Sequence, residues 1–166
     1  MSRFHRTIAG CAALFAAIAA PTFGQNKGGL PRDHPELYYS YFLFIEGFGN
    51  WLDSQGAQAP GSQAKLMASA ARYLKIDVRE LPTLIATCRS VSANLRQIGE
   101  DSRRALADEA AAGKGRDLLA LQVRADRRRA AIQDGISQLQ QALSAAGWNA
   151  VHAHINGAHR ASVGTQ

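Results

Sequence analysis

The stretch Leu37–Leu52 (LYYSYFLFIEGFGNWL) constrains this chain more than any other, because it holds seven of the nine aromatic residues found after position 25. On a helix, Leu37, Tyr41, Phe44, Ile45, Phe48, Trp51 and Leu52 fall on one stripe about 120° wide, with Glu46, Asn50 and Asp53 roughly opposite. Burying side chains of this size stabilises by about 1.5–3 kcal/mol each before entropy is counted. No other segment offers a comparable apolar mass, so the remaining helices are expected to pack onto this one. Strand-like alternation of any length is absent from the sequence, and the expected fold class is all-α.

Residues 1–24 read as a signal peptide. Arg3 and Arg6 form a basic start, Ile8 to Ala20 an Ala-rich apolar run, and a small-residue site follows. The run is shorter than the roughly 20 residues that span a bilayer, which weighs against a signal anchor. Cleavage is expected after Gly24, with Ala19 as the alternative. Ile8-Ala9-Gly10-Cys11 looks like a lipoprotein box, but it precedes the apolar run instead of closing it, so lipidation of Cys11 is not expected. Ser2-Arg3-Phe4 lacks the paired arginines of the twin-arginine route. Removing the leader takes away two of the 19 basic residues and none of the 13 acids, leaving a net charge of +4. A mixed-sign surface with that charge does not argue for nucleic acid. No second apolar run reaches spanning length, so a periplasmic or secreted protein without a transmembrane span is expected. Cys88 is then the lone cysteine; its place on an apolar stripe predicts burial instead of pairing between chains.

The spacing places a tail at 25–32 and a single helical domain at 33–159. Asp33-His34-Pro35-Glu36 starts the aromatic helix, which runs to about Ser54. Gly47 and Gly49 either weaken it or permit a close helix approach. After a loop at 56–61, Ser62 is expected to cap a shorter helix to about Lys75, with Leu66, Met67, Ala70, Tyr73 and Leu74 on its buried side. Asp77-Val-Arg-Glu80 has capping-box spacing ahead of Pro82. The most regular pattern follows: Leu81, Cys88, Leu95 and Ser102 alternate with Leu84/Ile85, Val91, Ile98 and Ala105. Gly113-Lys114-Gly115 turns the chain into a helix from Asp117 to Leu143, with Leu118, Leu121, Ala125, Ile132, Ile136, Leu139 and Leu143 on one stripe. These two limbs (about 82–112 and 117–143) are expected to form a long antiparallel hairpin, packed at its base on the aromatic helix and closed by two shorter helices. Its charged, Ala-rich tip should project beyond the core. Folding about Lys114 sets Leu139 against Cys88, Ile132 against Leu95, and Arg128 against Glu100 and Asp101, predicting an Arg128 bridge to those acids. Ser144 caps a last helix from about Trp148 to Ala158, and 160–166 form a tail.

Three imidazoles, His152, His154 and His159, make up the only histidine cluster. Ligands on one helix need i, i+4 spacing to reach a common ion, whereas His152 and His154 are about 200° apart and His152 and His159 about 10 Å apart along the axis. A transition metal ion held by His152, His154 and His159 is therefore an alternative reading, and surface and core-edge histidines the plainer one. Arg124, Arg127, Arg128 and Arg129 form a basic cluster balanced by Asp126 and Asp134. It reads first as a solvated helix face; Arg124, Arg127 and Arg129 are also the candidate partner-binding residues, toward an acidic protein or lipid headgroup. Motifs for nucleophilic, metal or nucleotide chemistry (GxSxG, HExxH, CxxC, Walker, GxGxxG) are missing, so no catalytic residue and no cofactor are assigned. The aromatic helix could also serve as a membrane-surface anchor, but its own polar face lacks the Lys and Arg such anchors carry.

Tyr38-Tyr39-x-Tyr41-Phe42-x-Phe44 after the leader, Cys88-Arg-Ser-Val91, Leu119-x-Leu121-Gln122-x-x-x-Asp126-Arg127, and Leu139-x-x-x-Leu143 followed by Trp148 form a familiar layout. In it the chain resembles a group of uncharacterised exported bacterial helical proteins, which implies export and a helical fold and no chemistry. The chain more thinly resembles periplasmic helical-hairpin stress chaperones and metal sensors of the Spy and CnrX type, Leu143-Ser144-Ala-Ala-Gly147 standing where those chaperones carry a Leu-Thr-x-x-Gln turn. Gly147 here stands at the Gln position, and the sensors' spaced His and Met ligands are not matched. The function expected is that of a non-enzymatic envelope module binding another protein, or itself, in a chaperone-like or accessory role.

Overall fold

The computed structural model describes residues 35–163 except positions 114 and 116, with side chains at position 60 and from 158 onward outside the description. The expected leader (1–24), the tail at 25–32, the helix start at Asp33 and His34, the hairpin's Lys114, the side chain of His159 and positions 164–166 lie outside the described residues. Within them the chain is all-helical: α1 (Pro35–Gln58), a 3-10 turn (Pro60–Ser62), α2 (Gln63–Leu74), α3 (Leu81–Ala111), α4 (Leu118–Ala142) and α5 (Ala145–Val163). None of the described residues is in a strand. The last helix runs four residues into the stretch expected to be a tail.

The buried residues of α1 include Tyr41, Ile45 and Leu52 of the expected stripe, but the row through the middle of the buried side is Tyr38, Phe42, Ile45, Gly49, Leu52 and Gly56. These positions are spaced alternately four and three apart, and at 100° per residue their mean direction lies about 80° from the stripe expected on aromatic mass. Phe44, Phe48 and Trp51 are consequently only partly buried. Two glycines explain the offset. A Cβ on Gly49 would stand 2.5 Å from Ile85 Cγ2, and one on Gly135 of α4 would stand 2.7 Å from Val91 Cγ1 and 3.1 Å from Phe42 Cζ. Helices α1, α3 and α4 therefore approach backbone to side chain at both points, and the seam runs through residues that have no hydrophobic signature.

Ser62 occupies the position ahead of α2, but its side chain makes no capping hydrogen bond; the 3-10 turn leads directly into the helix, so the backbone is already helical there (φ −99°, ψ −7°). Helix α2 buries Leu66, Ala70, Ala71 and Leu74. Tyr73, expected inside, is 50% exposed. The helix closes at Lys75, which adopts the left-handed conformation (φ 56°) and donates its N–H to the last carbonyls.

The capping box expected at Asp77–Glu80 does not form. The Asp77 carboxylate accepts the Arg79 N–H at 2.8 Å and pairs with the Arg79 guanidinium, while Glu80 reaches across the fold to accept the Ser144 N–H at 2.6 Å. Helix α3 starts at Leu81, which puts Pro82 in the first turn, where a missing N–H costs nothing. Its buried positions are Leu81, Leu84, Ile85, Cys88, Val91, Ser92, Leu95 and Ile98. Cys88 is fully buried, and that burial pushes its thiol far above the usual range.

Asp117 caps α4 by accepting from the N–H groups of Leu119 and Ala120. Of the stripe expected from Leu118 onward, Ile132, Leu139 and Leu143 are buried and Ile136 partly so, and Ala131 and Gly135, which lie outside that stripe, join them. Leu118 is 78% exposed, so the apolar core stops near Ile98 and Ala131. Ser144 Oγ accepts the Gly147 N–H at 3.1 Å and opens α5, which contributes Trp148, Val151 and Ile155 to the core.

Candidate functional site

Of the three expected ligands, His152 and His154 turn to different neighbours, and the side chain of His159 lies outside the described residues. The Tyr38 hydroxyl lies 3.2 Å from both ring nitrogens of His152, whose ring also meets Trp148 edge-on at 4.5 Å between centroids. His154 turns to a different set of rings: it stacks on Phe44 (5.3 Å, 18°) and meets Tyr41 at 5.6 Å and Tyr73 at 6.2 Å. Burial among these rings disfavours the imidazolium and lowers the His154 pKa below the ordinary histidine value. Among the described residues, no three His, Cys, Asp or Glu side chains are grouped so that they could hold a metal ion.

Each candidate partner-binding arginine has an acid of α3 or α4 as its partner. Arg124 pairs with Glu109, Arg127 with Asp101 at 3.8 Å, and Arg129 with Asp126 at 3.1 Å. The bridge expected from Arg128 is replaced. Asp101 is taken by Arg127, and the Arg128 guanidinium stands over the Tyr39 ring of α1, 4.4 Å from its centroid. A cation over an aromatic face is attracted by the ring quadrupole, so this arginine fastens α4 to α1 where the stripe had suggested an apolar contact.

With those charges matched, the most exposed large apolar groups lie at the far end of the α3 and α4 pair. Leu118, Leu119 and Val123 are 78%, 73% and 59% exposed, and Leu106 in the second half of α3 is exposed too. Asp117 holds the first two at the start of a capped helix, so they are displayed on ordered backbone. Of this patch only Leu118 lies on the apolar stripe read from the sequence; Leu119, Val123 and Leu106 fall off the stripes of their helices, so periodicity does not single them out.

A second surface belongs to α1, α2 and α5. Its rings form a continuous ladder: Phe44 stacks on Phe48 (6.0 Å), Phe48 on Trp51 (5.9 Å), and Phe48 meets Tyr73 at 6.2 Å, with His154 closing the far side. Two of the three acids of α1 turn to α3. Glu46 accepts two hydrogen bonds from Arg96, and Asp53 pairs with Arg89, both on α3. No family model, curated protein or solved structure matches this chain.

Proposed function

We propose that this chain is an exported, non-enzymatic helical module that binds another protein through the distal end of α3 and α4. Those two helices are read as an antiparallel arm, a reading supported by the pairs Val91–Gly135, Asp101–Arg127 and Glu109–Arg124, whose numbers fall along one helix as they rise along the other. The observation that carries the proposal is the exposure of Leu118, Leu119 and Val123 on ordered helix beyond the end of the core. Exposed apolar groups of this size, with Arg124, Arg127 and Arg129 already paired to acids of α3 and α4, suit an apolar partner segment more than an acidic one. Export rests on the leader-like residues 1–24, and the chaperone-like role on the combination of an arm and an apolar tip.

The test is suppression of aggregation of reduced insulin, together with crosslinking from the tip in cells. Leu118→Ser, Leu119→Ser and Val123→Ser combined should abolish both while leaving the thermal melt unchanged, since none of the three sits in the core. A triple variant that protects insulin and crosslinks as the parent does would remove the tip from the function.

A further inference from the structure

The ring ladder has a charge environment that no single helix reveals. Helix α1 supplies Phe44, Phe48 and Trp51 but carries no Lys or Arg, and of its three acids Glu46 and Asp53 are engaged by Arg96 and Arg89 of α3, while Glu36 stands in the first turn, about two turns before Phe44. Helix α2 supplies what α1 lacks. Lys65, Ser69, Arg72 and Tyr73 share one face at i, i+4, i+7 and i+8, and Tyr73 on that face is the residue that joins the ladder through Phe48 and His154. The Arg72 guanidinium bonds only weakly to its own helix, to Ala68 O and Ser69 Oγ at 3.4 Å. Neither α2 nor α5 contains an Asp or a Glu, so the cations next to the rings are not neutralised from within either helix.

We propose that this face, the rings of Phe44, Phe48, Trp51 and Tyr73 rimmed by Lys65 and Arg72, docks on an anionic phospholipid surface. The chemistry divides between the two layers of such a surface. Tryptophan and tyrosine rings favour the boundary between headgroups and acyl chains, and lysine and arginine favour the phosphates just outside it. Stable peripheral binding takes two signals, an apolar one and a basic one, and here the tertiary packing of α2 on α1 brings them together. No described helix is long and apolar enough to cross a membrane, so the protein would lie on the surface. The ladder belongs to α1, α2 and α5 and the apolar tip to α3 and α4, so lipid and protein partner use separate residues.

The experiment is flotation of the full chain with vesicles of phosphatidylcholine, with and without about 30% phosphatidylglycerol. Residues 1–34 are common to every variant, so differences between variants read this face alone. Lys65→Gln with Arg72→Gln should weaken binding to the anionic vesicles by about tenfold or more, at roughly fivefold per cation, and high salt should do the same to the parent protein. Bromine on the acyl chains should quench the tryptophan emission of the parent and much less that of Trp51→Phe. Lys65 and Arg72 are exposed, so their replacement leaves the fold intact, which far-UV circular dichroism checks. Equal flotation of parent and double variant, or emission indifferent to brominated lipid, would overturn the proposal. So would binding of an acidic amphipathic peptide to this face with no flotation on anionic vesicles. Insulin protection by the arm is indifferent to these substitutions if the two surfaces are independent, so the two readings fail separately.

Discussion

Glu46 of α1 and Arg96 of α3 meet in a two-pronged ion pair, each carboxylate oxygen 2.7 Å from a guanidinium nitrogen. The Arg96 hydrogen bonds hold the Glu46 carboxyl below the usual carboxylate range against the opposing effect of burial, with help from Ser92 and Arg89. A lowered carboxylate pKa means that the folded state binds its proton less readily than the unfolded chain. The stability it contributes is complete above the unfolded value near 4.3 and is lost as pH falls through the lower folded value. Glu46→Gln should cost about 1 kcal/mol at neutral pH, because Arg96 is half in solvent and the pair is screened. Urea denaturation of parent and variant at pH 7 and pH 3 should show that difference at the higher pH and little at the lower.

His154 has the same sign of pH dependence for a different reason. Its pKa is lowered by burial against Phe44, Tyr41 and Tyr73, so the folded state favours the neutral ring. The advantage is present above the unfolded value of about 6.5 and disappears as pH falls through 6.5 toward the lower folded value. His154→Phe keeps a planar ring in the stack and removes the proton site. The melting temperature of the parent should drop more than that of this variant between pH 8 and pH 5, and parallel curves would show that His154 does not titrate in this range.

Alanine at three glycines should give opposite outcomes. A Cβ at Gly49 or Gly135 meets Ile85 Cγ2 or Val91 Cγ1 at less than 3 Å, and these are methyls fixed on β-branched carbons that cannot swing away. Gly49→Ala and Gly135→Ala should each destabilise by about 1–3 kcal/mol through overpacking, in spite of alanine's better helix propensity. Gly99, also inside α3, has nothing within 4 Å of its Cβ position. Gly99→Ala should stabilise by about 0.5–1 kcal/mol. Denaturant midpoints for the three variants check both signs together.

Glu80 and Gly147 should prove coupled. The Glu80 carboxylate accepts the Ser144 N–H, and a Cβ on Gly147 would stand 2.6 Å from Glu80 Oε2. Glu80→Ala should cost about 1 kcal/mol by leaving that N–H to solvent. Gly147→Ala should cost a similar amount by displacing the carboxylate, and should cost much less where Glu80 is already alanine. A double-mutant cycle in urea reads the difference; simple additivity would show that the clasp does not hold α5.

The sequence by itself determined what is local: the helical class, the turns at Gly113 and Ser144, the Asp117 cap, and the buried positions of α3 from Leu81 to Ile98. Each depends on backbone preference or on the 3.6-residue period, which a chain carries wherever it packs. Only the tertiary structure decided which side of the aromatic helix faces inward, because Gly49 and Gly135 admit neighbouring side chains by having none of their own. It decided that Arg128 stands over Tyr39 while Arg127 takes Asp101, since long flexible side chains choose among acids and rings that adjacent helices bring within reach. The exposure of Leu118 and Leu119 and the arrival of α2, with Lys65 and Arg72, beside a helix with no cation of its own come from the same source. Burial and charge environment are properties of what lies opposite a residue, and one helix cannot encode its neighbour's surface.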